Sequence, residues 1–278
     1  MLLPENAASV GRTYIMSRHD SWQGAPRSAT RRIQPPFHPA TIVSLPRALS
    51  KLGYCSRTEA LALIEAGRVL VDGRPARAAS QRVDMARAVI VVDGAKITAQ
   101  DKVYLMLNKP RGLVTTRRDP RQRDTVYDCL PDGLPFLSPV GRLDKASEGL
   151  LLLTNDTQWA EQLMNPASGV PKTYHVKIDR VADERFVSAL SEPVEDDGER
   201  LSAASVGLLR TSGRSSWIEI VLTEGRNRQV RRMVASQGAN VLRLVRVAIG
   251  GVSLGDLTKG QVRSLAPNER VDLQLSCS

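Results

Sequence analysis

The sequence predicts an α+β fold in two parts: a compact ααβ unit, then a larger mixed domain built mostly on an antiparallel sheet. Three observations carry this. Between residues 45 and 94, two short helical patterns precede two small β segments. From residue 103 onward, strand-like runs predominate. Strands and helices beyond that point mix without the regular alternation of a doubly wound parallel sheet. A chain of 278 residues with 42% hydrophobic content can bury one good core and a smaller one, which fits two domains.

Residues 1–43 are rich in Ser, Pro, Arg and Gly, lack a hydrophobic period, and read as a disordered basic tail. Arg12, Arg18, Arg27, Arg31 and Arg32 face only Glu5 and Asp20 there, so an organellar presequence is the alternative, and Met16 is an alternative start. A secretory signal is excluded, because polar residues follow Pro4 directly.

The first domain spans 44–98. Leu45, Ala48, Leu49 and Leu52 recur at helical spacing and leave Arg47 and Lys51 on another face, with Gly53 ending the turn. Ser56-Arg57-Thr58-Glu59 is a capping box opening a helix that buries Ala60, Leu63 and Ile64 and stops at Gly67. Val69 to Val71 reads as a strand closed by Asp72-Gly73, and 88–92 as a second, closed by Asp93-Gly94. The polar stretch 98–102 marks the boundary. The second domain, 103–271, carries strands at 103–107, 150–154, 174–178, 217–222 and 241–247, and helices at 157–164, 183–190 and 227–236. The stretch 192–213 carries no clear pattern.

The net charge of +10 favours a polyanionic partner. The longest apolar run, 149–153, falls far short of the roughly 18 residues that span a bilayer, so no membrane partner is expected. Three histidines and three scattered cysteines (Cys55, Cys129, Cys277) offer no metal-ligating spacing. They read as reduced thiols in a cytoplasmic protein that uses no metal, with a monomer as the default state.

With so few reactive side chains available, a carboxylate is the first candidate for chemistry. Gly141-Arg142-Leu143-Asp144, followed by Lys145-Ala146-Ser147-Glu148-Gly149, sets Asp144 beside an arginine in a loop that feeds the apolar run 150–153. The bland alternative is an Asp satisfying backbone amides, as Asp119 or Asp156 would.

The stretch 45–73 resembles an S4 domain, a small RNA-binding module, through Leu45-Pro46-Arg47-Ala48-Leu49, Gly53 to Ala60, and Ile64 to Gly73. Arg47, Lys51, Arg57 and Arg68 can converge there on one face and contact phosphates. Most of 103–271 resembles the RsuA-type family of pseudouridine synthases. Four pieces carry that resemblance: Leu107-Asn108-Lys109-Pro110-Arg111-Gly112 with Thr125-Val126-Tyr127-Asp128 downstream; the 141–155 segment; Lys172-Thr173-Tyr174; and Gly225-Arg226-Asn227-Arg228-Gln229-Val230-Arg231-Arg232-Met233.

The resemblance implies a pseudouridine synthase catalytic domain that needs no cofactor and acts on ribosomal RNA. It makes Asp144 the catalytic carboxylate, either as a nucleophile toward the flipped uridine or as a stabiliser of the detached state. Burial would raise the carboxyl pKa, so a cation must compensate. On a helix starting near Asn227, Val230, Met233 and Val234 form the buried stripe. Arg231 borders that stripe and also holds the family's ion-pair position. Arg228 and Arg232 point away and read as RNA contacts. Tyr174 would stack on the uracil, although a core tyrosine is the alternative from its strand pattern alone. Arg142 is the expected helper at the mouth, filling space vacated by the extruded nucleotide. Lys109 and Arg111 flank a proline turn as candidate phosphate contacts.

The segments after Gly149 and from Leu222 to Met233 look most like the family's large-subunit (23S) rRNA enzymes, including a branch without an S4 domain. The modified position stays open. The rival function is a non-catalytic S4-domain RNA-binding or ribosome-assembly factor. A tRNA ligase lacks support, because no phosphate-cradling glycine motif is present.

Overall fold

A computed structural model describes residues 15–16, 42–117 and 119–277. Buried residues between Val43 and Val92 form a core of their own beneath the helices Leu45–Lys51 and Arg57–Glu65. The predicted capping box closes the second helix: the Glu59 amide donates to Ser56 Oγ at 3.0 Å, and the Ser56 amide to the Glu59 carboxylate at 2.9 Å. Both Asp-Gly turns carry positive φ at both residues, the twist that suits a tight hairpin. Val69–Val71 and Ile90–Val92 pair antiparallel in the small sheet.

The tail expectation falls mainly on residues outside those described. Two short pieces of it differ. Ile42–Ser44 pairs with Arg82–Asp84, and Ile15–Met16 adds to the edge strand Val262–Ser264.

The larger sheet runs, from one edge, Ile15–Met16, Val262–Ser264, Tyr104–Lys109, Glu148–Thr154, Val241–Ile249, Lys172–Ile178, Ser215–Leu222 and Ser205–Ser212. All neighbours are antiparallel except Glu148–Thr154 with Val241–Ile249, a parallel contact made only at Glu148 to Val245 and Gly149 to Arg246. The sheet is therefore two antiparallel halves joined at a short seam.

The seam strand is buried on both faces, which explains its unbroken apolar run. Leu150 and Leu152 pack with Met106 and Trp159, while Leu151 and Leu153 pack with Leu105, Leu107 and Leu143. The helices Thr157–Met164 and Pro267–Leu275 cover the first face. Glu184–Ser191 and Gln229–Ser236 cover the other half of the sheet.

Gly149 has φ +102°, and a Cβ added there would stand 2.2 Å from the Arg246 carbonyl oxygen and 2.8 Å from its amide nitrogen. Neither backbone atom can swing aside. Gly149→Ala is accordingly expected to lower stability by about 4 kcal/mol or more, read as a shift of the urea midpoint.

The two cores meet at a defined joint. Arg117 lies 3.4 Å from Glu59 and stacks over Tyr127 and Phe136, and the Phe136 amide donates to the Gly53 carbonyl. Among the described residues, no helix is long and apolar enough to cross a membrane.

Candidate active site

Asp144 sits in a loop anchored by buried Leu143, and the carbonyls of residues 143–147 all accept hydrogen bonds. Thr115 Oγ1 donates to Leu143 O at 2.7 Å. Lys109 Nζ donates to Asp144 O at 3.2 Å and to Ser147 O at 2.9 Å. The Gly112 amide takes Lys145 O, and Arg231 Nη2 takes Ala146 O at 3.3 Å. The backbone is thus held from behind, while the Asp144 carboxylate makes no hydrogen bond or ion pair with any described residue.

The amide-satisfying alternative fits the other two aspartates instead. Asp119 binds Arg123 and the amides of Arg121 and Arg123, and Asp156 caps the Thr157–Met164 helix.

Asp144 lines a cavity of about 670 Å³, a size that takes a small ligand whole. Tyr174, Arg142 and Arg228 line it, as do Lys172 and Arg246. Tyr174 reaches it from the strand Lys172–Ile178, where it packs against both adjoining cores. Arg142 and Arg228 are exposed at the mouth and have no side-chain partner among the described residues.

Arg231 departs from its expected pairing. Its guanidinium binds the carbonyls of Val241 and Ala146, and no ion pair with Asp144 forms within 4.0 Å. Its Nε is buried without a partner among the described residues. Burial and neighbouring Arg228 lower its pKa, and the Asp144 charge opposes that shift, so the two groups sense each other without touching. Arg228 adopts φ +49° as the N-cap, and the helix runs from Gln229.

Two predicted RNA contacts are corrected. Lys109 is fully buried, and its ammonium is spent on the carbonyls of Pro110, Asp144 and Ser147. Arg232 is largely covered and tied to Asp196 and Glu199, so its charge is already neutralised.

In the N-terminal core, Arg68 forms a two-pronged pair with Asp93, and Arg47 meets Glu161 at 3.2 Å. Both pairs are solvent-exposed, and such contacts are weak enough for a phosphate to displace. Lys51 and Arg57 have no partner among the described residues.

Several site-shaping residues have no role predicted from the sequence. Glu148 is buried at the seam and clamped by Arg243 at 2.9 and 3.0 Å and by Lys259 at 2.6 Å. Burial alone would raise its pKa, but those two cations bring it below the usual carboxylate value. Buried Gln229 ties its helix start to Ser202 O and the Glu224 carboxylate. Arg246 is buried beside the seam. The available signal was charge inside an apolar strand, as at Arg243 and Arg246, which in a buried setting demands a partner or a ligand.

Both parts of the chain resemble known proteins. Residues 103–236 match the RNA pseudouridylate synthase family model, and residues 43–89 match the S4 domain model. An uncharacterized RNA pseudouridine synthase of Mycobacterium tuberculosis strain H37Rv is 40% identical over 231 residues, covering 82% of this chain and 91% of the relative. One from Bacillus subtilis strain 168 is 36% identical over 228 residues, covering 81% and 95%. A crystal structure of a pseudouridylate synthase superposes with a TM-score of 0.61 at 29% identity, covering 83% of this chain and 99% of that one. Because a relative 40% identical covers 82% of it, the chain belongs to the RNA pseudouridine synthase family, isomerases that turn uridine in RNA into its C-glycoside, and carries an S4 domain ahead of the catalytic one.

Proposed function

We propose that this enzyme isomerises a specific uridine of ribosomal RNA, in the large-subunit (23S) RNA, with Asp144 as the catalytic carboxylate. The observation that carries this is a carboxylate without intramolecular partners among the described residues, on a loop whose carbonyls are held from behind, at the wall of a nucleotide-sized cavity.

The reaction breaks the N1–C1′ bond, turns the uracil and closes C5–C1′; one proton leaves C5 and one is gained at N1, so the net change is isomerisation. Asp144 acts at C1′, where positive charge develops as the base departs. Arg231, beside the same loop, holds the Ala146 carbonyl and so positions the backbone that carries the carboxylate. Tyr174 stacks on the uracil, Arg142 fills the space left by the flipped nucleotide, and Arg228 meets the backbone. The large-subunit assignment rests on the likeness of the segments after Gly149 and from Leu222 to Met233 to that group of enzymes.

Purified protein incubated with large- and small-subunit rRNA transcripts is expected to form pseudouridine at one position, in the large-subunit RNA only. Product only in the small-subunit transcript would overturn the target.

The S4 face supplies salt-sensitive affinity. The double variant Lys51→Ala, Arg57→Ala is expected to weaken rRNA binding and to reduce the slope of log K against log salt by about 2. An unchanged slope in filter-binding titrations would remove this face from the interface.

A further inference from the structure

The cavity carries a second polar feature that Asp144 does not explain. Arg246 is only 5% exposed, yet it is one of the cavity's lining residues. Its Nε donates to Leu150 O at 2.8 Å, and its Nη2 is buried with no partner among the described residues. Register puts Arg246 directly across from Tyr174, hence on the same face of the sheet. Lys172 lies two residues before Tyr174 on that face and also lines the cavity. A bulge between Thr173 and Tyr174 leaves Val247 unopposed and re-aims this part of the strand. No carboxylate among the described residues pairs with either cation. Burial and the Arg246 charge together hold the Lys172 pKa below the usual lysine value.

We propose that Arg246 and Lys172 form an anion subsite within the cavity, which takes a phosphate group of the bound RNA strand. Two adjacent cations without an acidic partner repel each other, and a neutral base carbonyl would leave that repulsion in place. A phosphate diester places one negative charge between the two cations, relieving much of that repulsion, and satisfies the free edge of the guanidinium, the geometry that favours arginine for such anions. The subsite rests on the cavity being the nucleotide site. It adds a binding role: anchoring the backbone holds the RNA strand in the cavity.

The test is a titration of the full chain with inorganic phosphate at constant ionic strength, with chloride as the control, followed by NMR of arginine Nε–H and lysine Nζ signals. The Arg246 and Lys172 signals are expected to shift together and saturate at millimolar phosphate. Lys172→Met should weaken that binding at least about tenfold. Lys172→Met carries the test, because Arg246 also anchors the seam through Leu150 O. Shifts no larger than with chloride, or saturation unchanged in Lys172→Met, would overturn the subsite.

With rRNA as substrate, Lys172→Met is expected to raise KM about tenfold with kcat within about threefold. A fall in kcat at constant KM would assign the pair to the base instead. The phosphate titration needs no turnover. A wild-type protein that binds phosphate at this pair but forms no pseudouridine would therefore sink the role of Asp144 and leave the subsite standing.

Discussion

Asp144→Asn is expected to lower turnover by at least about 10³-fold while rRNA affinity stays within about threefold. The substitution keeps the shape and removes only the charge. Because the carboxylate makes no hydrogen bond to a described residue, folding loses nothing specific, and stability should change by less than about 1 kcal/mol. That separation makes the variant informative: a large kinetic loss with an intact melting profile and intact binding isolates a role in the transition state. Single-turnover formation of pseudouridine, alongside urea melts and binding titrations, would measure all three. Full turnover in the variant would remove Asp144 from the mechanism.

Lys109→Met should cost both stability and rate. The side chain is fully buried, and its ammonium bridges the carbonyls of Pro110, Asp144 and Ser147. Methionine fills similar space and supplies no donor, leaving buried acceptors unmatched at about 3 kcal/mol. The Asp144 loop then loses its support from behind, and kcat is expected to fall by about 10- to 100-fold with KM little changed.

A pH signature accompanies this. Burial pulls the Lys109 pKa down from 10.5 to about 8, against the opposing pull of Asp144, Cys129 and Glu148. Between those values the unfolded chain holds a proton that the folded chain has released, so raising the pH through that window favours the folded state. Relative to Lys109→Met, wild type should therefore gain stability from about pH 8 toward pH 10, with a slope approaching about 1.4 kcal/mol per pH unit. Parallel urea melts of the two proteins would show this difference, and parallel curves across the window would contradict it.

Local patterns made much of the fold legible. Thr157–Met164 follows its apolar period, and the two Asp-Gly turns and the Ser56 capping box are formed by neighbouring residues alone. Elements set by distant partners were harder to read. Ser205–Ser212 is an edge strand with a register shift between Leu208 and Arg210, so alternation fails along it and Leu208 and Leu209 both face solvent. The hairpin of Val194–Asp196 and Glu199–Leu201 had a readable turn at Asp197-Gly198, but its short strands carry little apolar signal.

The candidate site divides the same way. Asp144, Tyr174, Arg142 and Arg228 come together at one cavity, as their motifs suggested. Lys109 misled because an Asn-Lys-Pro-Arg turn looks like a surface phosphate contact, whereas Tyr104–Lys109 is an inner strand that carries the lysine beneath the loop it supports. Arg231 borders its buried stripe as helical geometry requires, but its guanidinium meets the carbonyls of Val241 and Ala146 rather than the carboxylate. The seam explains why Arg246 and Glu148 escaped notice. Their burial follows from a parallel contact two residues long between strands nearly a hundred positions apart.

The most direct test of the central claim is a pseudouridine map of ribosomal RNA from cells lacking this gene, complemented with wild type or with Asp144→Asn. The expected result is one large-subunit pseudouridine that disappears on deletion and returns with wild type alone. Restoration of that site by Asp144→Asn, or persistence of every rRNA site in the deletion, would contradict the account.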